Sequence, residues 1–187
     1  MNSRIPTLIL AGLAMTLPSV ANADHHATSH AISGKVMNVV LIGTKGEPLG
    51  TASLEQTAAG VLIAVSASGI SEGEHALHVH EKGLCDAAGG FASAGGHFAP
   101  GGTAHGSHDA KGHHAGDMPN VFAGANGKLQ AQALNDAVTL GETGDGALFD
   151  ADGSALVIHG GADDYATQPS GAAGSRIACA VIASPKA

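Results

Sequence analysis

Aromatic side chains are nearly missing: the 187-residue chain has no Trp, one Tyr and four Phe. A surface that reads bases or sugars by ring stacking is thereby excluded. Charge is scarce too, at 13% of positions, and it leans acidic, with eight Lys and Arg against sixteen Asp and Glu and a net charge of -8. Such a chain neither neutralises a phosphate backbone nor settles on an anionic membrane. Long hydrophobic runs are absent; the segment Ile5 to Leu17 falls short of the about 20 residues a spanning helix needs. What is plentiful is small and aliphatic: 44% of positions are hydrophobic, enough for one buried core built from Val, Ile, Leu and Ala. Twenty-eight Gly and twelve His complete the list of excesses.

The N-terminus reads as an export address. Arg4 precedes the apolar run, and Ala21-Asn22-Ala23 has the small-x-small form of a cleavage site, so residues 1–23 are expected to be a signal peptide. Loss of Arg4 makes the mature chain one unit more negative than -8. Residues 24–34, with His25, His26 and His30, are expected to be a flexible tail, either a metal-gathering arm or solvated polar residues. The folded domain is then residues 35–187. Export also decides the state of the only two cysteines, Cys85 and Cys179, which an oxidising compartment is expected to join.

Short apolar segments separated by turn residues predict about eight strands and no helix. They are Val36–Ile42, Leu49–Gln56, Gly60–Ser68, His75–His80, Val121–Ala123, Leu129–Leu134, Ala155–His159 and Arg176–Ile182. Asn126-Gly127 predicts a two-residue hairpin. An all-β, eight-stranded antiparallel barrel or sandwich is the expected fold. Two stretches, from His80 to Asn120 and from Gly160 to Ser175, have no strand character and need a disulfide or a metal to order them.

His78-Val79-His80 sets two imidazoles on one face of a strand, where both can reach one ion. His97, His105, His114 and Asp117 follow, then His159 at the end of an apolar strand. Imidazoles with a single carboxylate suit Zn, Cu, Fe or Ni and not Mg or Ca.

In order along the chain, His75-Ala-Leu-His78-Val-His80, Ala94-Gly-Gly-His97-Phe98, Ala104-His105-Gly106, His114-Ala-Gly-Asp117, Leu156-Val-Ile-His159, Ala162-Asp163-Asp164 and Gly174-Ser-Arg176-Ile-Ala-Cys179 resemble the motifs of copper/zinc superoxide dismutase, exported bacterial type. The resemblance runs through nearly all the chain from Lys35. It implies a Greek-key fold with long metal-binding and active-site loops. It implies copper held by His78, His80, His97 and His159, and zinc held by His97, His105, His114 and Asp117, with His97 shared. Asp163 is implied as a carboxylate between His78 and His105, with Asp164 as its competitor. Arg176 is implied beside the open copper face, and His75 as a buried packing residue. His113 could take the place of His114, but the His-x-x-Asp spacing favours His114.

The implied activity converts two superoxide anions and two protons to dioxygen and hydrogen peroxide. Catalysis would rest on Arg176 and His97 and would protect the cell envelope, in the periplasm of a Gram-negative bacterium. The substrate is a small anion; nucleic acid and, after signal cleavage, membrane are not expected partners. A homodimer is compatible with the family. The remaining alternative is a non-catalytic exported copper/zinc-binding protein on the same scaffold. Gly160 to Ser175 and Asp86 to Gly96 carry no Lys or Arg, which leaves Lys82, Lys111 and Arg176 as the cations near the site.

Overall fold

The computed structural model describes residues 34–110 and 112–187. The expected signal peptide, all of the tail but Gly34, and Lys111 lie outside them. Nine strands form a single antiparallel sheet: β1 (Val36–Gly43), β2 (Pro48–Thr57), β3 (Gly60–Ser68), β4 (Gly73–His75), β5 (Leu77–His80), β6 (Val121–Ala123), β7 (Lys128–Asn135), β8 (Ser154–His159) and β9 (Arg176–Ala183). Their order across the sheet is β4-β6-β7-β3-β2-β1-β9-β8-β5. Because β4 and β5 are consecutive in the chain, the sheet curls into a nearly closed barrel. No helix among the described residues is long and apolar enough to cross a membrane.

Alternation builds the barrel wall. In β3, Val61, Ile63 and Val65 are buried, and they join Val39 and Leu41 of β1, Ala52 and Leu54 of β2, and Leu129 of β7 in the main core. Aliphatic residues with period 2 form strands because each buries one face of a pleated sheet. β8 departs from this pattern and is buried throughout. Leu156 and Ile158 face the main core, while Ala155 and Val157 pack with Phe91, Ala94 and Cys179 under the loop that follows β5. The Cys85–Cys179 disulfide pins that loop to β9.

Two details differ from the sequence expectation. The segment His75–His80 is two strands, since the chain changes partners at Ala76: β4 pairs with β6 and β5 pairs with β8. Ala76 itself is tied to both sides of the 159–161 segment, donating to the Gly161 carbonyl and accepting from the His159 N–H. The β6–β7 hairpin turns through four residues, Gly124–Gly127, with only Gly127 at positive φ. A two-residue primed turn would require Asn126 to adopt positive φ as well.

Candidate metal centre

Strand β5 is the platform. Leu77 and Val79 point into the main core, so His78 and His80 face outward on the opposite side. β8 lies along one flank of β5 and ends in His159. Two loop segments cover the other flank. Val79 N–H donates to the Gly116 carbonyl at 2.9 Å, Phe98 N–H donates to the Val79 carbonyl at 2.8 Å, and Glu81 N–H donates to the Gly96 carbonyl at 3.0 Å. Bridges pair His78 with Asp117 and His80 with His97. Residue 116 has to be Gly for this approach, since a Cβ there would stand 2.2 Å from the Val79 carbonyl oxygen.

Two donor sets result, each with its ligand atoms within 4.8 Å of one another: His78, His80, His97 and His159, and His97, His105, His114 and Asp117. In the first, acceptor oxygens fix the outer ring nitrogens. His78 Nε2 lies 2.9 Å from Asp163 Oδ2, His80 Nδ1 lies 3.1 Å from the Gly95 carbonyl, and His159 Nδ1 lies 3.4 Å from the Gly174 carbonyl. Once the outer nitrogen is the donor, the inner one carries the lone pair. His80 Nε2 and His159 Nε2 face each other at 3.4 Å. His78 Nδ1 and His97 Nε2 are the buried side-chain nitrogens without a hydrogen-bond partner among the described residues. Leaving such atoms unpaired is costly, and a cation among four lone pairs removes the cost.

The second set converges on one oxygen. Asp117 Oδ1 lies 2.8 Å from His97 Nδ1, 3.1 Å from His105 Nδ1 and 3.2 Å from His114 Nδ1, and the last is 3.4 Å from His97 Nδ1. Ligands about 2.0 Å from a tetrahedral ion stand about 3.3 Å apart, so this spacing fits zinc. The other carboxylate oxygen of Asp117 accepts the N–H groups of Gly106 and His114, which aims Oδ1 inward. The two sets share the His97 ring, Nδ1 in one and Nε2 in the other.

Asp163 spans the sets from behind, with Oδ2 on His78 and Oδ1 at 3.0 Å from His105 Nε2. A Cβ on Gly171 would fall 1.8 Å from Asp163 Oδ1, so the site needs glycine there. Asp164 is exposed and spends its carboxylate on Ala166 and Thr167. His113 is exposed, with Nδ1 on the His114 carbonyl, and His108 stands edge-on to Tyr165, so neither enters a set. His75 is buried with ring nitrogens at 2.7 Å from the His159 carbonyl and 2.8 Å from the Ser71 carbonyl. His25, His26 and His30 fall outside the described residues.

Burial pushes the His80 imidazole down to about 2, aided by the Arg176 and His97 charges, and His159 down to about 3. His78 and His114 are lowered, again chiefly by burial. Burial opposes ionisation of Asp117 and Asp163, but hydrogen bonds outweigh it, from His97 and Gly106 in one and from His78, His105 and Tyr165 in the other. Both carboxyls stay well below the usual range. Neutral imidazoles and ionised carboxylates are the forms that bind metal.

Arg176 donates to the Phe91 and Gly95 carbonyls at 2.6 Å each. It lines a cleft of about 340 Å³ with Gly96, His97, His159, Ser170 and Gly174. Sequence reasoning missed three residues. Asn120 pairs through its amide with both polar backbone groups of Asp163, Tyr165 Oη accepts the Asn120 N–H, and Gln168 holds the backbone of His105. All three act on main-chain groups, which leave no mark in spacing.

The profile of the family Copper/zinc superoxide dismutase (SODC) matches residues 49–182. Superoxide dismutase [Cu-Zn] 2 of Aquifex aeolicus is 48% identical over 143 residues, covering 76% of this chain and 83% of the relative. Superoxide dismutase [Cu-Zn] of Caulobacter vibrioides is 42% identical over 139 residues, covering 73% and 79%. Among solved structures, a SOD-like protein from Bacillus subtilis superposes with a TM-score of 0.74 at 37% identity, covering 78% of this chain and 97% of that one. With matching fold, sequence and donor sets, the chain belongs to the copper/zinc superoxide dismutase family.

Proposed function

We propose that the protein dismutes superoxide, with copper at His78, His80, His97 and His159 and zinc at His97, His105, His114 and Asp117. The carrying observation is the His97 ring, which has Nδ1 in the oxygen-containing set and Nε2, buried and unpartnered among the described residues, in the all-imidazole set. Four imidazoles suit copper, and three imidazoles with a carboxylate suit zinc. When bound, copper supplies one-electron redox chemistry and zinc supplies charge without redox change.

The remaining work falls to side chains. Two superoxide anions and two protons become one dioxygen and one hydrogen peroxide. Arg176, at the cleft beside His97 and His159, attracts the small anion and orients it by charge-assisted hydrogen bonds. His97 Nε2 is the atom suited to take up one proton and return it to the reduced product. Asp163 keeps His78 and His105 in fixed tautomers, so their inner nitrogens stay available. The disulfide and the first residues of the chain support export, and we place the protein in the periplasm of a Gram-negative bacterium.

One relative from Bacillus subtilis, 37% identical, is named superoxide dismutase-like protein. In this chain the complete donor sets, with Arg176 at the cleft, favour turnover over storage. Protein reconstituted with both metals should accelerate decay of pulse-generated superoxide, and each His should bind as assigned. Fully loaded protein without effect on that decay overturns the reading.

A further inference from the structure

The backbone of His105 is held by a side chain from the opposite loop. Gln168 Oε1 accepts the His105 N–H at 2.9 Å, and Gln168 Nε2 donates to the His105 carbonyl at 2.8 Å. Among the described residues no other group bonds the His105 backbone. A primary amide paired in both directions with one residue fixes that residue's place and tilt, much as a neighbouring strand would.

The neighbours of His105 are held separately, Gly106 N–H by Asp117 Oδ2 at 3.0 Å and Thr103 Oγ1 by the His113 carbonyl at 2.7 Å, and the segment itself is glycine-rich. Gly101 and Gly102 precede it, and Gly106 follows at φ 95°. The His105 ring, by contrast, is fully buried and has to meet two carboxylates at once, Asp117 through Nδ1 and Asp163 through Nε2. A small tilt of the His105 backbone would swing Nδ1 away from Asp117. Gln168 is exposed, so its two bonds to His105, and a third from Nε2 to the Ala166 carbonyl at 3.2 Å, compete with water and are not forced by burial. Pro169 and Ser170, next in the chain, line the cleft at Arg176, so a zinc ligand and the cleft wall share one anchor.

We propose that Gln168 is a positioning residue for the zinc set, acting through the His105 backbone; this rests on the zinc assignment above. Gln168→Met keeps length and volume and removes both hydrogen bonds to His105 together with the one to the Ala166 carbonyl, while Gln168→Glu keeps the acceptor for the His105 N–H. Copper-free protein is titrated with Co(II), the visible absorption of the bound ion is recorded, and zinc affinity is measured by competition. Gln168→Met should weaken zinc binding about tenfold and alter the Co(II) bands, with Gln168→Glu between it and the parent. A change below threefold with parental Co(II) bands overturns the role of Gln168 and leaves the zinc assignment intact. Parent protein that takes up no Co(II), or keeps it unchanged after His105→Ala, overturns both.

Discussion

Asp163 Oδ2 lies 2.9 Å from His78 Nε2, with both side chains closed to solvent, while its other oxygen lies 3.0 Å from His105 Nε2. One carboxylate thus orients an imidazole from each donor set. Asp163→Asn keeps the shape and offers a single acceptor oxygen to two ring N–H donors. Copper and zinc affinities should each fall about 10- to 100-fold, read by competitive chelation, with strand content unchanged in far-UV dichroism. Parental affinity for both metals would show that the link orients nothing.

Arg176 is the cleft's guanidinium and also the donor to the Phe91 and Gly95 carbonyls. Arg176→Met should lower the dismutation rate about 10- to 100-fold while both metals stay bound, because the lost interaction is a hydrogen bond to a charged species. Arg176→Lys should fall between, since an ammonium cannot hold two carbonyls and an anion in one plane. Rate and metal content measured on the same samples decide this.

Arg176 is the only Lys or Arg among the described residues lining the cleft, and Glu81 faces its charge. Steering of an anion by one unit charge amounts to about 1 kcal/mol at contact in water. The rate should therefore drop less than about fivefold between low salt and about 0.15 M. A steeper fall would mean that cations elsewhere on the surface guide the substrate.

The Cys85–Cys179 bond spans 94 residues of sequence. Loop-closure entropy sets its contribution at about 4 to 5 kcal/mol. Cys85→Ser, or reduction, should shift the denaturant midpoint accordingly. Activity should fall as well, since the pinned loop contains the carbonyls that anchor Arg176.

Burial holds His80 at about 2 and His159 at about 3, below the 6.5 of an unfolded imidazole. The unfolded chain therefore takes up protons first as the solution is acidified. Stability of metal-free protein is complete above about pH 6.5 and is lost toward pH 3, by up to about 1.4 kcal/mol per pH unit for each ring. Denaturant midpoints that stay constant from pH 6.5 to 4.5 would contradict this.

Sequence alone reached those parts of the site that follow a local period. His78 and His80 alternate on a strand, and Val61, Ile63 and Val65 mark a core face without any knowledge of partners. His97, His105 and His114 sit in loops, where spacing has no geometric meaning, and only their order within a family pattern grouped them. The division of His75–His80 at Ala76 was illegible because it depends on which distant strands pair, β6 or β8. Asn126-Gly127 marked a hairpin correctly but not its length, since only Gly127 takes positive φ. Asn120 and Gln168 gave no signal, because an amide that binds backbone can serve almost any sequence.

The loop segments along β5 have one more consequence. An open sheet ends in strands whose free amides and carbonyls can recruit another chain, the usual route to edge-on aggregation. Here the two terminal strands have only three and four residues, and Val79 already spends both polar backbone groups on Gly116 and Phe98. The same segments that deliver His97 and Asp117 thus occupy the β5 edge of the barrel, so assembling the metal centre and capping that strand edge are one structural event.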